Sequence, residues 1–472
     1  MSVDPQRRTA ALLAALWVAE MTSSFESAMI LAALKVLVVQ FGDAASVGWL
    51  VTGFLIVGSA ASAVVGRLGD IYGRQKVLLI VLAIGAAGSL LSAASSRYEL
   101  VLAGRILQGV TATILPLVIG LVRQNLPPER VPTGIGLMIS GASIGTAMGL
   151  VLGGVIVDLA SWHGIFLASA AFCLISLVLV RALVPPSPRA ALRAPVDWWS
   201  GVLFAPGITL VLLYLTGGKA WGWADPLALA LLVGGAALCL LWWRRALTSA
   251  NPLIDVRTLS NRPITVVCAA SVLVAMGTLQ ITVFFSLLLQ APVWTGLGLG
   301  LSATAAGLVK LPSNLTSVLA GPFSGWLTGR GGGRTAMVAG GVITTLGWVL
   351  VLIDTSSVAV IVAELIVISF GTTMLFAVAP TIIAAEAPPE RTSEVTGMLG
   401  VIRALFMGVG SQLVTTVLAL ESVTRGAERY PSPQAYQWAV TLIVVLTAGA
   451  TLVALLLPGR KTAGDAPANP QT

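Results

Sequence analysis

Long apolar stretches with few or no charges, separated by short charged or turn-forming segments, run the whole length of the chain. A hydrocarbon layer about 30 Å thick needs about 20 residues of helix to cross it. Stretches of that length fall at 10–34, 44–66, 77–95, 99–122, 132–157, 163–183, 199–216, 225–243, 263–290, 302–326, 335–353, 358–384, 395–420 and 436–457, fourteen spans. The uncharged run from Pro263 to Val309 is too long for one helix, and Pro292 followed by Gly296, Gly298 and Gly300 supplies a turn within it. The spans are apolar on all sides and lack the ten-residue alternation of barrel strands, so they predict an all-α integral membrane protein. One break between spans stands out: Gly-Arg-Leu-Gly-Asp-Ile-Tyr-Gly-Arg-Gln-Lys, residues 66–76, a charged turn between two apolar runs.

Composition excludes a water-soluble body. Of 472 residues, 57% are hydrophobic and 10% charged, with mean hydropathy +0.95, against about a quarter charged in a soluble domain. The net charge of +8 is explained by cations at one membrane face. With both termini cytoplasmic, the inner loops and tails collect Arg7, Arg8, Arg67, Arg74, Lys76, Arg123, Arg130, Arg181, Arg189, Arg193, Arg244, Arg245, Arg257, Arg262, Arg330, Arg334, Arg391, Arg460 and Lys461, whereas outer loops keep Arg97, Lys219, Arg425 and Arg429, with Lys35 near the outer end of the first helix. This predicts a multi-pass protein of the cytoplasmic membrane and removes the case for nucleic acid as a partner. Tryptophans 198, 199, 221, 223, 242 and 243 fall at the ends of spans 7 and 8, as interfacial anchors. Cys173, Cys239 and Cys268 all lie inside spans, suggesting neither a disulfide framework nor a metal site. The first span is too long for a signal-peptide core and is expected to stay as a helix, and the polar residues from Gly459 to Thr472 are expected to form a disordered tail.

The chain repeats itself. Pro127-Pro128-Glu129-Arg130 recurs as Pro388-Pro389-Glu390-Arg391, and at the same offset of 261 Gly136 matches Gly397 and Gly149 matches Gly410. Gly66-Arg67-Leu68 resembles Gly325-Trp326-Leu327 at a nearly equal offset. Parallel repeats of this kind build secondary transporters whose substrate site lies between the halves. The predicted organisation is a six-helix bundle at 1–184, a segment at 185–262 carrying two inserted helices, a second six-helix bundle at 263–457 and a tail at 458–472.

The turn at 66–76 resembles the signature between helices 2 and 3 of the major facilitator superfamily. Leu-Ala-Gly-Arg-Ile-Leu-Gln-Gly at 102–109 resembles that family's helix 4 signature, with Arg105, Gln108 and Gly109 at its marked positions. Gly136, Gly145, Gly149, Gly153 and Gly154 are spaced like the antiporter signature of helix 5. With two additional central helices, the chain resembles the fourteen-spanner drug:proton antiporters, which implies a major facilitator fold, proton-driven multidrug efflux and no cofactor beyond the proton gradient. There are two departures. Leu150 stands where the antiporter signature has proline, and Phe25-Glu26 with Ala33-Leu34-Lys35 stands where helix 1 has leucine-aspartate and alanine-leucine-proline.

Ionisable groups inside spans are costly and functional by default. Ionising a carboxylate in a low-dielectric setting is unfavourable, so the state of Glu26 answers to nearby charge; an entering organic cation favours the ion and releases a proton, and departure reverses this. The exchange reading requires Glu26 to be reachable from the pore yet shielded; a carboxylate locked behind neighbouring packing with no route to water would sink it and leave a hydrogen-bonded structural acid. Arg105 must pair with an acid or with carbonyls; the family resemblance implies a part in proton transfer, with Glu26 a candidate partner and a purely architectural pair the alternative. Glu20, Lys310, Glu364 and Arg403 are also embedded. Glu20 and Glu26 are six residues apart, about 120° around a helix, so only one can face a central cavity squarely. Lys310 and Arg403 would repel a cationic compound; either they pair with Glu364 or they accept an anionic part of the substrate.

In the turn, Gly66 and Gly73 permit tight geometry, Asp70 can meet the positive N-terminal end of a neighbouring helix, and Arg74 and Lys76 are expected at the headgroups. The resemblance implies a latch that holds the cytoplasmic side shut; a topological anchor is the alternative. Gly141, Gly145, Gly149 and Gly153 repeat every four residues as a stripe for close backbone packing, with an interface that slides or seals during alternating access as the sharper reading. Gly141-Ala142-Ser143-Ile144-Gly145 matches a nucleophile-elbow pattern but sits in a span rather than a strand-to-helix turn. The one histidine, His163, falls at the membrane edge, and no phosphate loop is present, so an enzyme or a nucleotide-driven pump is not expected. The sequence therefore predicts a monomeric secondary transporter that exports amphipathic, cationic drugs or toxic compounds in exchange for protons. A proton symporter or a dedicated natural-product exporter of the same fold is the alternative, and a membrane-embedded enzyme or non-transporting sensor a remote one.

Overall fold

Every predicted span forms a helix in the computed structural model, which describes residues 5–42, 44–187, 197–425 and 428–459. The predicted tail from residue 460, with Arg460 and Lys461, and the loop cations Arg189 and Arg193 lie outside the described residues. The helices are α1 (Pro5–Phe41), α2 (Ala44–Tyr72), α3 (Arg74–Ala93) and α4, which runs Tyr98–Gln108, tightens to 3₁₀ at Gly109–Thr113 and resumes at Ile114–Asn125. α5 (Val131–Leu159), α6 (His163–Leu183), α7 (Trp198–Trp221) and α8 (Pro226–Thr248) follow. α9 runs Arg262–Met276, breaks at Gly277 and resumes at Ile281–Gln290. Then comes one helical run, Ala303–Ile353, interrupted at Gly332, whose φ of +82° and ψ of 163° only glycine adopts readily. The part before Gly332 is α10 and the part after it α11; α12 (Val358–Glu386), α13 (Thr392–Leu420) and α14 (Pro433–Ala454) complete the chain. Among the described residues thirteen helices are long and apolar enough to cross a membrane, and one of these, 49 residues at Ala305–Ile353, holds two spans, which reconciles the number with fourteen.

α5 is helical without interruption from Val131 to Leu159, with Leu150 inside it. A short hairpin, Ser422–Arg425 against Glu428–Pro431, stands between α13 and α14 where the sequence reading had only a loop. Outward faces carry exposed apolar side chains, Leu159 at 82%, Leu227 at 72% and Leu319 at 69%, as lipid requires.

Two cores organise the N-terminal half, one around Leu16, Leu78, Leu117 and Ile135 and one around Phe25, Leu50, Val101 and Phe166. Two others, around Val267, Val378 and Leu399 and around Phe285, Trp348 and Ile443, organise the C-terminal half. The repeat seen in the sequence is a repeat in packing: Gly149 of α5 closes on the Phe25 carbonyl of α1, and Gly410 of α13 closes on Met276 of α9. A fifth core joins Ile56, Ala60 and Ala63 of α2 to Phe204, Ile208 and Leu212 of α7, Trp242 and Ala246 of α8, and Met398 and Val401 of α13. The two inserted helices thus lie across the α2–α13 seam. Trp242, expected as an interfacial anchor, is instead buried in this core against Phe204, at 4.7 Å between ring centroids. Stacks of Tyr72 on Trp198 and of Trp49 on Trp221 fasten α7 to α2 near both of its ends.

The halves meet backbone to backbone at the end that holds the 66–76 turn, here the hinge end. A β-carbon on Gly66 would fall on the Ser393 carbonyl, one on Gly397 on the Ser62 carbonyl, and one on Gly136 on the Gly321 carbonyl. Gly66 therefore serves close approach inside a helix rather than a tight turn; Gly73, at φ +100°, is the residue that turns the chain. Gly321→Ala is expected to wedge α5 from α10 and populate conformers open at the hinge end, read as increased labelling of cysteines placed along that seam in an otherwise cysteine-free protein.

Candidate functional site

Against the expectation that it is reachable from the pore, Glu26 is buried at 1% exposure and held by partners inside the N-terminal bundle, an apolar environment that its hydrogen bonds have to offset. Thr111 Oγ1 donates to its Oε2 at 2.6 Å, Ser89 Oγ to its Oε1 at 3.1 Å, and the Cys173 thiol to Oε1 at 3.4 Å. Arg105, also 1% exposed, does not touch the carboxylate: its Nη1 donates to the Glu26 backbone carbonyl at 3.4 Å and to Gln108 Oε1 at 2.7 Å, its Nε donates to the Leu50 carbonyl at 3.0 Å, and its guanidinium lies 4.6 Å from the Phe54 ring centroid. Gln108 Nε2 in turn donates to Ser89 Oγ at 2.6 Å. Ser89 Oγ also reaches the Gly85 carbonyl at 2.8 Å, so its one proton is shared between that carbonyl and Glu26; Gln108 and Ser89 link acid and guanidinium when it turns to Glu26, with charge attraction acting across the link. Thr111 sits in the 3₁₀ stretch of α4, so the tightened turn is what presents its hydroxyl to Glu26.

The C-terminal half has a neutral counterpart. Thr372, at the repeat offset of 261 from Thr111, shares a 2.9 Å hydrogen bond with Thr278, which accepts from Trp348 Nε1 at 2.9 Å. There α9 breaks at Gly277, and Gln280 Nε2 donates to the freed Ala275 carbonyl at 2.8 Å and to Met407 O at 3.0 Å. At the positions that repeat Glu26 and Arg105 the C-terminal half has Leu287 and Ile366. Ser89, Thr111 and Cys173 were not foreseen; each is an ordinary residue in an apolar span, and nothing local marks it.

The turn at 66–76 becomes an inter-half network. Asp70 Oδ2 accepts from the Glu394 N–H at 2.9 Å and Oδ1 from the Ser393 N–H at 3.4 Å, so the carboxylate caps the N-terminus of α13, whose first N–H groups have no intrahelical partner. Arg74, expected at the headgroups, is instead buried; it pairs with Asp70 at 2.8 Å and donates to Ser393 Oγ, the Gly120 carbonyl and the Pro389 carbonyl. Arg67 reaches Glu394 Oε2 at 3.5 Å and the Glu390 carbonyl at 3.2 Å. Arg391 approaches Glu394 at 3.2 Å and Asp255 at 3.5 Å, and the Asp255 N–H donates to Glu394 Oε1 at 2.6 Å. Asp255, in the segment after α8, was not foreseen as part of this cluster; it enters because that segment folds back over the hinge end.

Other sequence expectations change. Gly141, Gly145, Gly149 and Gly153 do form one packed stripe, facing Trp17, Met21, Phe25 and Met29, but this is the α5–α1 seam within one half. Gly154 lies outside it, with open space around its α-carbon. Lys310 and Arg403 make no pair with Glu364: Lys310 Nζ donates to Ser286 Oγ at 2.6 Å and to the Thr282 carbonyl at 3.2 Å, Arg403 lies 4.1 Å from the Phe376 ring centroid and donates weakly to the Phe376 carbonyl, and both Glu364 oxygens are buried without a partner. Glu20 is buried at 4%, and its Oε2 has no hydrogen-bond partner.

The family model described as Major Facilitator Superfamily matches residues 16–197 and 198–411. The chain belongs to this family. Within the superfamily it is 30% identical over 374 residues to the multidrug efflux pump LfrA of Mycolicibacterium smegmatis, a match covering 78% of this chain and 72% of that one. It is 24% identical to the lincomycin resistance protein LmrB of Listeria monocytogenes, over 80% of this chain and 79% of the relative, and 26% identical to the probable actinorhodin transporter of Streptomyces coelicolor, over 82% and 70%. The fold matches that of the human organic anion transporter MFSD10 with TM-score 0.66 at 16% identity, over 96% of this chain and all of the other. As a superfamily member the protein is a multi-pass membrane transporter and not an enzyme.

Proposed function

We propose that this transporter exports amphipathic drug-like compounds from the cytoplasm in exchange for protons, with Glu26 as the group that binds and releases the proton. The observation that carries this reading is the Glu26–Ser89–Gln108–Arg105 chain, a buried acid in hydrogen-bonded communication with a buried cation inside a membrane bundle. Relatives named for drug efflux and antibiotic resistance support the direction and the class of cargo.

The closed hinge end corresponds to the cytoplasmic side under the cation bias, so the structure is read as the outward-facing state. In it the Glu26 carboxylate is sealed from water. That placement is the one expected of a structural acid, so exchange at Glu26 requires another conformation in which the carboxylate reaches water, and the 3₁₀ stretch at Gly109–Thr113 lies beside it.

Everted membrane vesicles test this. A fluorescent lipophilic dye is expected to accumulate when the lumen is acid, and a protonophore should release it. Dye movement that ignores the imposed gradient would replace exchange by facilitated diffusion. A dedicated natural-product exporter is the second reading, supported by similarity to the probable actinorhodin transporter; transport confined to a single compound in a broad panel would favour it.

A further inference from the structure

Three helix ends of the C-terminal bundle frame a groove at the hinge end. α9 begins with Arg262-Pro263, α11 begins just past the break at Gly332 with Arg334 in its first turn, and α14 ends at Ala454 and continues as a tightening turn through Leu457. The groove measures about 470 Å³, within the range of about 300–1,000 Å³ usual for small-ligand sites. Arg262 and Arg334 line it together with the apolar run Leu455, Leu456, Leu457 and Pro458, and none of the described residues that line it is acidic. Both arginines are exposed, and among the described residues neither guanidinium enters an ion pair or donates a hydrogen bond. In this they differ from Arg67, Arg74, Arg123 and Arg391, which carboxylates, carbonyls and hydroxyls hold at the seam between the halves.

The groove adjoins a second space, of about 540 Å³, which reaches the N-terminal half at Arg123, Glu129 and Pro132, and Arg334 lines both. Glu129 and Glu386 stand in that second space, and neither pairs with Arg334. With acids on the inner side and none on the outer, the outer groove is where an anion is favoured. Its mouth meets a stripe of apolar side chains on α14: Val445 is 62%, Leu452 65% and Leu456 55% exposed, at spacings of seven and four residues that keep them on one face. Exposed apolar side chains along a spanning helix face hydrocarbon, so the groove lies where acyl chains give way to headgroups.

We propose that this groove binds an anionic phospholipid of the leaflet at the hinge end, its phosphate on Arg262 and Arg334 and an acyl chain along Leu456, Leu452 and Val445. Guanidinium forks match phosphate oxygens two at a time, and basic pockets between spanning helices suit anionic headgroups. A soluble phosphate would meet the same two cations but gain nothing from the leucines, whereas a lipid covers both. The site is independent of what the transporter carries.

The test is native mass spectrometry of the purified full-length protein, released from detergent micelles that hold equal amounts of phosphatidylglycerol and phosphatidylcholine. At about fivefold per arginine, the first lipid retained is expected to be phosphatidylglycerol by about thirtyfold. Arg262→Gln and Arg334→Gln should each lower that preference about fivefold, the double substitution should erase it, and the pair Arg262→Lys and Arg334→Lys should keep part of it. Arg181→Gln, at the exposed end of α6 in the other bundle, should change nothing. Equal retention of the two lipids, a preference that survives the double substitution, or a loss in Arg181→Gln as large as in Arg334→Gln would overturn the site. Millimolar glycerol phosphate, the soluble fragment of the headgroup, should leave the bound lipid in place; displacement would reassign the groove to soluble phosphates and overturn the lipid.

Discussion

Glu26→Gln is expected to abolish uphill transport while preserving dye binding within about threefold, since the amide keeps the shape and much of the hydrogen bonding of the acid. The size of the loss follows from the energetics of coupling. Each pH unit across the membrane is worth about 1.4 kcal/mol per proton, so one exchanged proton can hold a dye gradient of about a hundredfold under a two-unit difference. Without a titratable group at position 26 the carrier can only equilibrate its cargo, and the ratio should fall to about one. The amide oxygen would still accept from Thr111, and the amide NH2 in the other position would donate to Ser89 Oγ, whose own proton goes to the Gly85 carbonyl, so the fold should persist; a thermal unfolding midpoint near that of the unmodified protein checks this. If Glu26→Gln vesicles still concentrate dye against its gradient, the coupling acid is elsewhere, and Glu20 is the next to test.

Asp70→Asn should have the second large effect, on the conformational equilibrium rather than on coupling. Asp70 is the one side chain that ties Arg74 to two N–H groups at the start of α13. Neutralising it leaves Arg74 and Arg67 buried with less compensation and removes the charge that suits the helix terminus. Breaking a buried pair on one side costs about 3–5 kcal/mol. Part of that would be relieved by opening, so a shift of about a hundredfold toward conformers open at the hinge end is expected. Distances between spin labels on α2 and α13 at that end would lengthen, and turnover would drop because the outward-facing state is too rarely visited. An unchanged distance distribution would reduce the cluster to a topological anchor.

The architecture was largely legible because a bilayer imposes one rule on every span: about twenty predominantly apolar residues. That rule found every helix, and the Pro-Pro-Glu-Arg repeat revealed the two halves. It could not see that Ala303–Ile353 runs on as one helical stretch broken only at Gly332, since that depends on a single backbone conformation. The site was legible in part. Glu26 and Arg105 are conspicuous as charges in apolar runs, but the groups that hold them, Ser89, Thr111 and Cys173, lie 63, 85 and 147 residues from Glu26 and are chosen by tertiary packing. Charge alone misled in two places. Arg74 reads as a headgroup residue until a carboxylate and three carbonyl or hydroxyl acceptors are found around it, and the pairing of Lys310 and Arg403 with Glu364 was reasonable only while their distances were unknown.

The stacking of α7 on α2 at Trp49 and Tyr72, combined with the attachment of the segment after α8 to Glu394 and Arg391, has a mechanical consequence. When the halves rock, the inserted pair should travel as a passenger of the first bundle, while α13 glides beneath it. The strain of that relative motion then concentrates in the dozen residues leading into α9, making this connection the spring of the carrier rather than a slack tether.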